Sequence, residues 1–555
     1  MINEQEMKNN KFDYKKNSNS SKPFVKDFRE FSDNIDKAAH INICDISVAN
    51  KGDNFSIFGT IEKVVQTGGP TIFSASDGTG LLSLKAFDGA GVRAYPHVDV
   101  GDVVKAVVGV EEYNGELEGE VKKIWKLDEK DKKEFLEKLV KIEKERAKVK
   151  EIPFLAESPI LDKLRMKMIK AATEIRLAVI QSRPIIVRHH NDTDGYSAGF
   201  ALERAILPII EKQHLGNTKA AWEYFARAPC AAPFYELEDS IKDTSLSLRN
   251  AAKFSNKMPL IVIVDNGSGQ EDLMGILQGK VHGSDFIVVD HHGFEKDVIT
   301  EHVLTHVNPH LEGESGASIS AGMLCVELAR LVNNETKNIS QIPALAGFAD
   351  RIDLENEPLV NKYLEIAQKE GYSKELLKDL SLVIEYVSTR IRFMEAREYF
   401  EVVFGEPRAQ QKKLVALMAP HIRDLDAKGL AIAKENAIIE EVNGVTVQKI
   451  MIEETFPGFG FFPKPGRSVG LVHDFLKSTG KTKLISVGVM NTAMTIRSTN
   501  ESNFSVHDFL GYVNEKLPNA FAEGGGHKNA GAISYLPKYK AKVLELFEEF
   551  VKKRK

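Results

Sequence analysis

The chain has 555 residues, of which 43% are hydrophobic and 28% charged, and its mean hydropathy is -0.24. This balance excludes a disordered or fibrous chain, and the length predicts three or four domains of about 100–200 residues each. The formal net charge of -5 gives no overall attraction to nucleic acid, so any such binding would have to use local basic patches.

The sequence carries no sign of export or membrane insertion. No apolar run approaches the roughly 18–20 residues of a membrane helix, and residues 1–23 lack the apolar stretch of a signal peptide. We therefore expect a cytoplasmic protein without membrane contact. Cys44, Cys230 and Cys325 are too far apart for a zinc motif or a disulfide framework, so we expect them in the core of a reduced protein.

The first 127 residues divide into a tail and a barrel. Residues 1–40 are rich in Asn, Ser and Lys and predict a flexible tail. Residues 41–127 contain five short alternating runs separated by turn sequences, which is typical of a small closed antiparallel barrel similar to an OB-fold. The predicted strands cover residues 55–61, 71–75, 81–87, 103–110 and 119–125.

The rest of the chain alternates between apolar runs and helical patterns. Residues 128–155 are highly charged with helical periodicity and predict a linker. Continuous apolar runs separated by helices in residues 156–354 predict a parallel sheet covered on both faces. Residues 355–442 predict a helical connector, with long helical stretches at 376–404 and 411–440. Residues 443–555 predict a smaller α/β unit, with strands at 483–489 and 493–496 and a helix at 538–553.

Acidic residues and histidines follow three apolar runs of the predicted sheet, at 184–187, 260–264 and 286–289. Because ligands of open α/β sheets bind beyond the carboxyl ends of the strands, these side chains should converge. A fourth run, at 302–307, ends before Asn308. The residues concerned are His190, Asp192 and Asp194 after the first run, Asp265 after the second, and Asp290, His291 and His292 after the third.

Carboxylates and imidazoles crowded at one edge would be unfavourable unless a cation neutralised them. A donor set without thiolates favours manganese, or magnesium, over structural zinc, while iron and cobalt stay open. So many ligands predict two ions, and paired ions about 3.5–4 Å apart suit displacement at phosphorus.

Each motif also has a simpler structural interpretation. Asp192 and Asp194 precede a predicted helix and could cap its first turn. The sequence Asp265-Asn-Gly is a common turn. The metal interpretation depends on the three motifs together, because all three end buried-looking runs.

These motifs resemble those of the DHH phosphoesterase superfamily. The His-x-Asp-x-Asp-Gly motif stands at residues 190–195, Asp-x-Gly at 265–267, and the Asp-His-His that gives the family its name at 290–292. Asp350 resembles a fourth acidic position. Gly-Gly-Gly-His at 524–527, with Ile-Arg-Ser at 496–498, resembles the substrate-binding loop of the DHH-associated domain. The resemblance covers about residues 185–551.

The resemblance implies an α/β fold class: a parallel-sheet DHH catalytic domain and a smaller α/β DHH-associated C-terminal domain, here with an N-terminal five-stranded OB-like barrel. This combination looks like RecJ-type single-strand exonucleases, especially the RecJ-like proteins of archaea. In bacterial RecJ the barrel follows the C-terminal domain, whereas here it precedes the catalytic core. Two-metal hydrolysis, most often with manganese, is the implied chemistry.

The resemblance also implies roles for individual residues. His292 would face the scissile phosphate, and Asp290 would orient a neighbouring histidine, with His291 completing the catalytic set. His189 receives no role and is expected to be packed or hydrogen-bonded. One ion would be held by His190, Asp192 and Asp265, and the other by Asp194, Asp265, His291 and Asp350, with Asp265 bridging. The predicted substrate-binding set is Arg497, Ser498, Gly524, Gly525, Gly526, His527 and Asn308.

The predicted barrel suggests a grip on a longer substrate, because such barrels bind single strands by stacking bases on aromatic side chains in a basic groove. The candidate contacts are Arg93, Tyr95 and Lys85. Aromatic side chains on the predicted strands have a second interpretation, as barrel core, and this is the one we prefer for Phe58, Phe73 and Phe87.

The leading hypothesis is a metal-dependent exonuclease that degrades single-stranded DNA or RNA to nucleoside monophosphates. The first alternative is a phosphodiesterase for short oligonucleotides or cyclic dinucleotides, which would not need a barrel. The second is a non-catalytic replication scaffold, which would be expected to lack metal ligands that are present here. Expected partners are single-stranded nucleic acid and proteins of replication, repair or RNA processing.

Overall fold

The computed structural model describes residues 38–391, 397–456 and 463–553, except for the side chain of His527. Most of the predicted tail therefore lies outside the described residues. None of the described helices is both long and apolar enough to cross a membrane.

The N-terminal region forms a closed barrel of five strands in the order β1-β2-β3-β5-β4, which confirms the predicted barrel. The β3–β5 pair is parallel and the other pairs are antiparallel. Inward-facing apolar side chains such as Ile57 and Leu84 fill the barrel. The strands are β1 (Asn54–Gln66), β2 (Thr71–Ser76), β3 (Leu81–Ala86), β4 (Val103–Tyr113) and β5 (Glu116–Lys126).

Three residues expected in a core, Phe58, Phe87 and Cys44, are not fully buried. Phe73 is fully buried as expected, but Phe87 is 69% exposed because it lies just beyond the end of β3. Phe58 is only half-buried. Cys44 is exposed in a short turn in which Ile43 is the residue that enters the core, whereas Cys230 and Cys325 are buried.

Helix α1 (Glu129–Ala147) occupies the predicted linker and packs on both of its neighbours. On the barrel side, Leu139 lies against Gly78, whose carbonyl accepts a hydrogen bond from Arg146. On the other side, Arg176 donates to the carbonyls of Arg146 at 2.8 Å and Ala147 at 3.2 Å. The helix therefore fastens the barrel to the next unit.

That unit is built on five parallel strands in the order β10-β9-β8-β6-β7, as the apolar runs predict. The edge strand β7 was not predicted, because its alternating small residues lack a long apolar run. The strands are β6 (Ile185–His189), β7 (Phe225–Pro229), β8 (Leu260–Val264), β9 (Asp285–Val289) and β10 (Thr305–Val307). The helices are α2 (Pro159–Ile180), α3 (Thr193–Gln213), α4 (Ala220–Tyr224), α5 (Leu237–Phe254), α6 (Leu273–Val281), α7 (Ala321–Val332) and α8 (Ile342–Ala349).

Four helices follow and pack into the same core as the parallel sheet. Phe400 stacks on Tyr196 of α3 at 4.1 Å between ring centroids, and Phe404 stacks on Phe200 at 4.3 Å. Such pairs contribute about 0.5–1.5 kcal/mol each beyond their buried area. The helices are α9 (Glu357–Lys369), α10 (Lys374–Arg390), α11 (Arg397–Val403) and α12 (Arg408–Asn436).

The C-terminal unit is a six-stranded mixed sheet in the order β11-β12-β13-β14-β16-β15. Residues 438–440 were predicted to be helical, but α12 ends at Asn436 and β11 pairs with β12, so this sheet begins before residue 443. The domain boundaries stay a prediction. The strands are β11 (Ile438–Val442), β12 (Val445–Met451), β13 (Leu484–Val489), β14 (Ala493–Ser498), β15 (Glu523–His527) and β16 (Ala530–Ser534). The helices are α13 (Ile452–Thr455), α14 (Pro465–Ser478), α15 (Val506–Lys516) and α16 (Lys540–Lys553).

Candidate metal centre and substrate cleft

The predicted site residues follow the carboxyl ends of adjacent strands. The last residues of β6, β8, β9 and β10 are direct neighbours across the parallel sheet, so the next residue of each strand lies at the same edge. In sheet order these residues are His190, Asp265, Asp290 and Asn308.

One candidate metal cluster combines His190, Asp192 and Asp265. Nδ1 of His190 lies 2.8 Å from Oδ2 of Asp192 and 3.6 Å from Oδ2 of Asp265. Oδ1 of Asp192 accepts a hydrogen bond from the backbone N–H of Gly195 at 2.9 Å and so caps α3. Asp192 thus fits both interpretations of its motif, because one oxygen caps the helix and the other faces the cluster.

A second cluster combines Asp194, His291 and Asp350. Nε2 of His291 lies 3.1 Å from Oδ2 of Asp350, 3.3 Å from Oδ1 of Asp265 and 3.8 Å from Oδ2 of Asp194. Nδ1 of the same ring lies 2.9 Å from the carbonyl oxygen of Gly316. With Nδ1–H donating to that carbonyl, Nε2 faces the carboxylates and is the ring nitrogen that could bind a metal ion once its proton is displaced.

Asp265 belongs to the first cluster, where Oδ2 faces His190, and its Oδ1 faces His291 of the second. Asp265, His291 and His292 form a third group that could hold an ion. The backbone φ of Asp265, 60°, is in the left-handed region, which is uncommon for a residue with a side chain. Oδ2 is buried and accepts no hydrogen bond within the described part of the chain. A divalent ion on each side would satisfy both oxygens, so this donor set fits the predicted pair of ions.

The electrostatics of the clusters also fit bound cations. Burial, with the charges of Asp265 and Asp350, raises the pKa of Asp194 well above its usual value. Burial alone would lower the pKa of His291, but Asp265 and Asp350 outweigh it and raise the pKa well above the usual value. Divalent ions would replace the protons that these pKa values hold on the cluster.

The chain supports the clusters from behind. Asp194 accepts hydrogen bonds from the backbone N–H groups of Ala321 at 2.9 Å and Gly322 at 3.0 Å, at the start of α7. A Cβ atom at Gly322 would lie 2.7 Å from Oδ1 of Asp194, so glycine is required for this approach. The first turn of α7 therefore fixes the orientation of this carboxylate.

Asp290 and His292 form the outer part of this edge. Oδ1 of Asp290 accepts hydrogen bonds from Nδ1 of His292 at 2.8 Å and from the backbone N–H groups of His291 and His292. Burial would raise the pKa of Asp290, but the charge and hydrogen bond of His292 outweigh it and lower the pKa. Held through Nδ1, the His292 ring keeps Nε2 for the adjacent cavity, which His292 lines.

The opposite side of that cavity is the Gly-Gly-Gly segment of β15. The cavity has a volume of about 300 Å³ and is lined by Asn266, Phe294 and residues 524–526. A Cβ atom at Gly524 or Gly526 would lie 2.4 or 2.6 Å from a carbonyl oxygen, whereas at Gly525 it would meet nothing within 4 Å. Packing requires the outer two glycines, and the middle one leaves its backbone accessible to a ligand.

Arg497 lies on the same side, on β14. Its side chain is half-buried, and its buried Nε has no hydrogen-bond partner among the residues described. Burial lowers its pKa, and the charge of Arg351 adds to the effect. We name two surfaces here: the metal wall is the edge that carries the two clusters and His292, and the glycine wall is Gly525 with Arg497.

Two residues connect the unit that carries the metal wall to α14 and its start. Lys464, at the start of α14, donates to the carbonyl of Asn191 at 3.0 Å and to Oγ of Ser388 at 3.3 Å. Arg351, which follows Asp350, forms a two-pronged ion pair with Asp474 of α14. These contacts hold the C-terminal unit against the unit that carries the metal wall.

A protein-family model described as "DHH family, N-terminal domain" matches residues 184–348, the segment that carries both clusters except Asp350. The chain is also 34% identical over 528 residues to an uncharacterized protein of Methanocaldococcus jannaschii, MJ1198, covering 90% of this chain and 69% of the relative. The chain belongs to the DHH family. It is accordingly a metal-dependent phosphoesterase, and hence a hydrolase.

Solved structures were also found to be similar to this DHH protein. The DHH domain of PF0399, described as a member of the s1p family of ribosomal proteins, is 34% identical with a TM-score of 0.73. That match covers 77% of this chain and all of the solved one. RecJ of Thermus thermophilus in complex with Mn²⁺ matches at 17% identity and a TM-score of 0.44, over 74% of this chain and 57% of that one.

Some predicted site residues of this DHH protein lie behind the cleft. The amide of Asn308 is fully buried and donates to Oγ of Ser268 at 2.9 Å and to the carbonyl of His292 at 3.0 Å. Its hydrogens are used within the protein, so we infer that Asn308 positions His292 instead of contacting substrate. Ser498 is buried and hydrogen-bonds to Asn529 at 3.3 Å. The side chain of His527 lies outside the described residues.

His189 is fully buried and contacts neither cluster. Its Nδ1 lies 2.7 Å from the carbonyl of His190, and its ring packs on Tyr196. Burial and the charge of Arg227 lower its pKa to about 3, so the ring is neutral and structural.

Asn266 was not predicted as a site residue, because the sequence Asp265-Asn-Gly was interpreted as a turn. It follows Asp265, is buried and lines the 300 Å³ cavity, while its amide has no hydrogen-bond partner in the described ranges. An amide in this setting can orient an oxygen of a bound phosphate. The feature of the sequence that could have identified Asn266 is its position directly after a predicted metal ligand.

The three predicted barrel contacts are engaged within the barrel. Arg93 donates to the carbonyl of Val98 at 2.8 Å and pairs with Asp99. Tyr95 packs against the barrel core, and burial raises its pKa. Lys85 pairs with Glu118 and lies 4.4 Å from the centre of the Tyr113 ring. Their binding role stays a prediction.

Proposed function

We propose that this DHH protein is an exonuclease that degrades single-stranded DNA or RNA to nucleoside monophosphates. The observation that carries the proposal is a cleft with two candidate metal clusters sharing Asp265 on one wall and the accessible Gly525 backbone with Arg497 on the other. Such a cleft fits a nucleotide whose scissile phosphodiester lies at the metal wall while its other phosphate is bound at the glycine wall. We propose two divalent ions, with Mn²⁺ first and Mg²⁺ second.

Paired ions at these clusters would lower the pKa of bound water and neutralise the scissile phosphate. His292, held through Nδ1 by Asp290, presents Nε2 to a phosphate oxygen. Arg497 and the N–H of Gly525 bind the phosphate of the nucleotide being released. Asn266, next to the shared ligand, orients a non-bridging oxygen.

Phe294 gives the cleft a surface for a nucleobase. It lies two residues after His292, lines both the 300 Å³ cavity and a neighbouring cavity of about 720 Å³, and is half-buried. Base stacking on an aromatic ring contributes about 1–3 kcal/mol and tolerates any base. This favours a nucleotide over a simple phosphate ester as the unit that the cleft accepts.

The barrel favours a strand over a dinucleotide, because a second binding unit is fastened to the catalytic unit through α1. Activity on short oligonucleotides alone would therefore contradict this proposal. Partners in replication, repair or RNA processing, and the cytoplasmic location, stay predictions.

Product analysis tests the proposal. The protein is incubated with Mn²⁺ and single strands of about 16 nucleotides, labelled at either end, as DNA and as RNA, beside a dinucleotide. We expect stepwise shortening to mononucleotides from one end. Cleavage of the dinucleotide alone would assign the protein to the short-oligonucleotide class, and no hydrolysis with any metal would support the scaffold.

A further inference from the structure

The barrel has two aromatic and basic faces, and one of them is covered. Segment 214–219 of the catalytic unit lies against the β2–β3–β5 side, where Leu215 packs on the barrel core. Asn217 and Lys219 donate to the carboxylate of Glu116 at 3.1 and 2.6 Å. The remaining cavity there is only about 230 Å³, and its Lys85 is paired with Glu118. The β2–β3–β5 face therefore has too small a cavity, and too few unpaired basic side chains, to bind a nucleic-acid strand.

The other face carries a row of side chains across β1, β4 and β5. Phe58 is directly opposite Lys105, and Lys105 is directly opposite Trp125. Nζ of Lys105 lies 5.8 Å from the centre of the Phe58 ring and 6.0 Å from that of Trp125. Nζ of Lys123 lies 4.5 Å over Trp125. We call Phe58, Lys105 and Trp125 the outer row.

Lys105 differs from most lysines of the barrel. Lys51, Lys63, Lys85 and Lys126 form ion pairs with carboxylates at 4.0 Å or less. Lys105 forms no ion pair with any carboxylate in the part of the chain that the structure describes. Its charge contacts only aromatic faces, which leaves it available to a phosphate.

The geometry of the row suits a polymer of alternating bases and phosphates. Neighbouring strands are about 4.8 Å apart, so the two rings are separated by about 10 Å with the cation between them. Two bases can stack on the rings while the phosphate between them meets Lys105. Aromatic stacking with a tracking cation is the general way in which barrels hold single strands without regard to sequence.

We propose that the outer row is a binding site for single-stranded nucleic acid. The proposal deepens the exonuclease function, on which it rests for the identity of the polymer, and assigns the grip to residues other than the predicted contacts Arg93, Tyr95 and Lys85. The strand stacks on Phe58 and Trp125, and Lys105 neutralises a phosphate between the stacked bases.

Tryptophan fluorescence tests the proposal directly, because the chain has two tryptophans. Trp222 lies outside the barrel and is 60% exposed, so Trp222→Phe leaves Trp125 as the single reporter. The full chain is titrated in EDTA with oligothymidylate of about 16 nucleotides. We expect saturable quenching of Trp125. Binding by anisotropy without any quenching would overturn the proposal.

Charge variants locate the phosphate contact. Lys105→Gln should weaken binding at least about fivefold and reduce the slope of log Kd against log salt by about 0.7, the value for one phosphate contact on a single strand. Lys51→Gln removes the same charge from a distant part of the barrel and should change neither quantity. Weaker binding by Lys85→Gln with normal binding by Lys105→Gln would overturn the proposal in favour of the covered face.

Stacking is tested separately with Phe58→Ala and Phe58→Trp. The alanine variant should weaken binding about fivefold or more, and the tryptophan variant should restore it. Equal affinities for all three proteins would refute stacking at this position. Because the titrations contain EDTA, they measure binding separately from hydrolysis, which is assayed with Mn²⁺. Quenching of Trp125 without hydrolysis would refute the exonuclease alone. Normal hydrolysis without quenching would refute the outer row alone.

Discussion

The metal wall concentrates buried charge, whereas the glycine wall offers backbone and a single guanidinium. Asp265, Asp194 and His291 each make specific contacts that fix their orientation. Across the cleft, a Cβ atom at Gly525 would meet nothing within 4 Å, and Nε of Arg497 has no hydrogen-bond partner in the described part of the chain. We conclude that the first wall is organised for reactivity and the second for recognition, so damage to each should produce a different defect.

The largest effect is expected at the shared ligand of the metal wall. Asp265→Asn keeps the size of the side chain but removes its charge, so hydrolysis should fall to background at any Mn²⁺ concentration. Calorimetric titration should show fewer than two bound Mn²⁺ ions per chain. The matched control is Asp285→Asn, at the start of β9 and the opposite edge of the sheet, which should retain hydrolysis.

The metal-free form of Asp265→Asn gives a second readout. Asparagine tolerates the left-handed φ of this position and carries no charge beside the buried carboxylates, so its melting temperature in EDTA should equal or exceed that of the original chain. Substantial turnover by a correctly folded variant would contradict the shared-ligand assignment.

Arg497 on the glycine wall should have the next largest effect. Arg497→Ala removes the proposed charge-assisted contact with a substrate phosphate, and kcat/KM should fall on the order of 10²-fold. The number of bound Mn²⁺ ions should not change, because this side chain does not belong to either cluster. Arg497→Lys should recover only part of the loss, since an ammonium group cannot form the two-pronged contact of a guanidinium. Loss of Mn²⁺ binding in Arg497→Ala would mean that the two walls do not have separate roles.

Gly525 should have a smaller effect that grows with side-chain size. Gly525→Ala places a methyl group in open space, so the protein should fold normally and lose a fewfold in kcat/KM. Gly525→Val should lose about tenfold, equivalent to roughly 1.4 kcal/mol. Stopped-flow kinetics should assign the loss to KM. Unchanged kinetics for both variants would show that the substrate does not approach this backbone.

The smallest effect concerns the stability of the helix behind the glycine wall. His473 of α14 is buried with Nδ1 3.0 Å from Oγ of Ser486, and burial lowers its pKa to about 4. The folded state therefore holds a neutral ring, and stability is lost as the pH falls from about 6.5 to about 4. The loss of stability is on the order of 3 kcal/mol. Urea unfolding between these pH values should be less pH-dependent for His473→Gln than for the original chain.

Much of the metal wall was predictable because strand ends are visible in a sequence. The apolar runs before His190, Asp265 and Asp290 are continuous, and parallel strands end at one edge, so convergence followed from elementary topology. Asp350 was predicted from the family motif alone, since it follows helix α8 and no strand pattern marks it. The division of the two Asp265 oxygens between clusters depends on a backbone torsion that no pattern encodes.

The predictions failed where tertiary contacts decide. Residues 438–440 continue a helical pattern, yet they form the edge of a sheet because β12 provides backbone partners. Phe87 lies in a strand-like run but beyond the last paired residue, so it is exposed. The substrate contact predicted for Asn308 stays a prediction, although its amide hydrogens are donated to Ser268 and to the carbonyl of His292.

Helix α1 sets a fixed distance between the outer row and the metal wall, because Arg146 holds it to the barrel and Arg176 holds it to the sheet unit. A strand that occupies both places must be long enough to reach from one to the other. The affinity for the strand should therefore fall sharply at one threshold length. Shortening the strand below that length should weaken binding no further. For the proposed exonuclease, we therefore expect strands too short to reach the outer row to be degraded more slowly than longer ones.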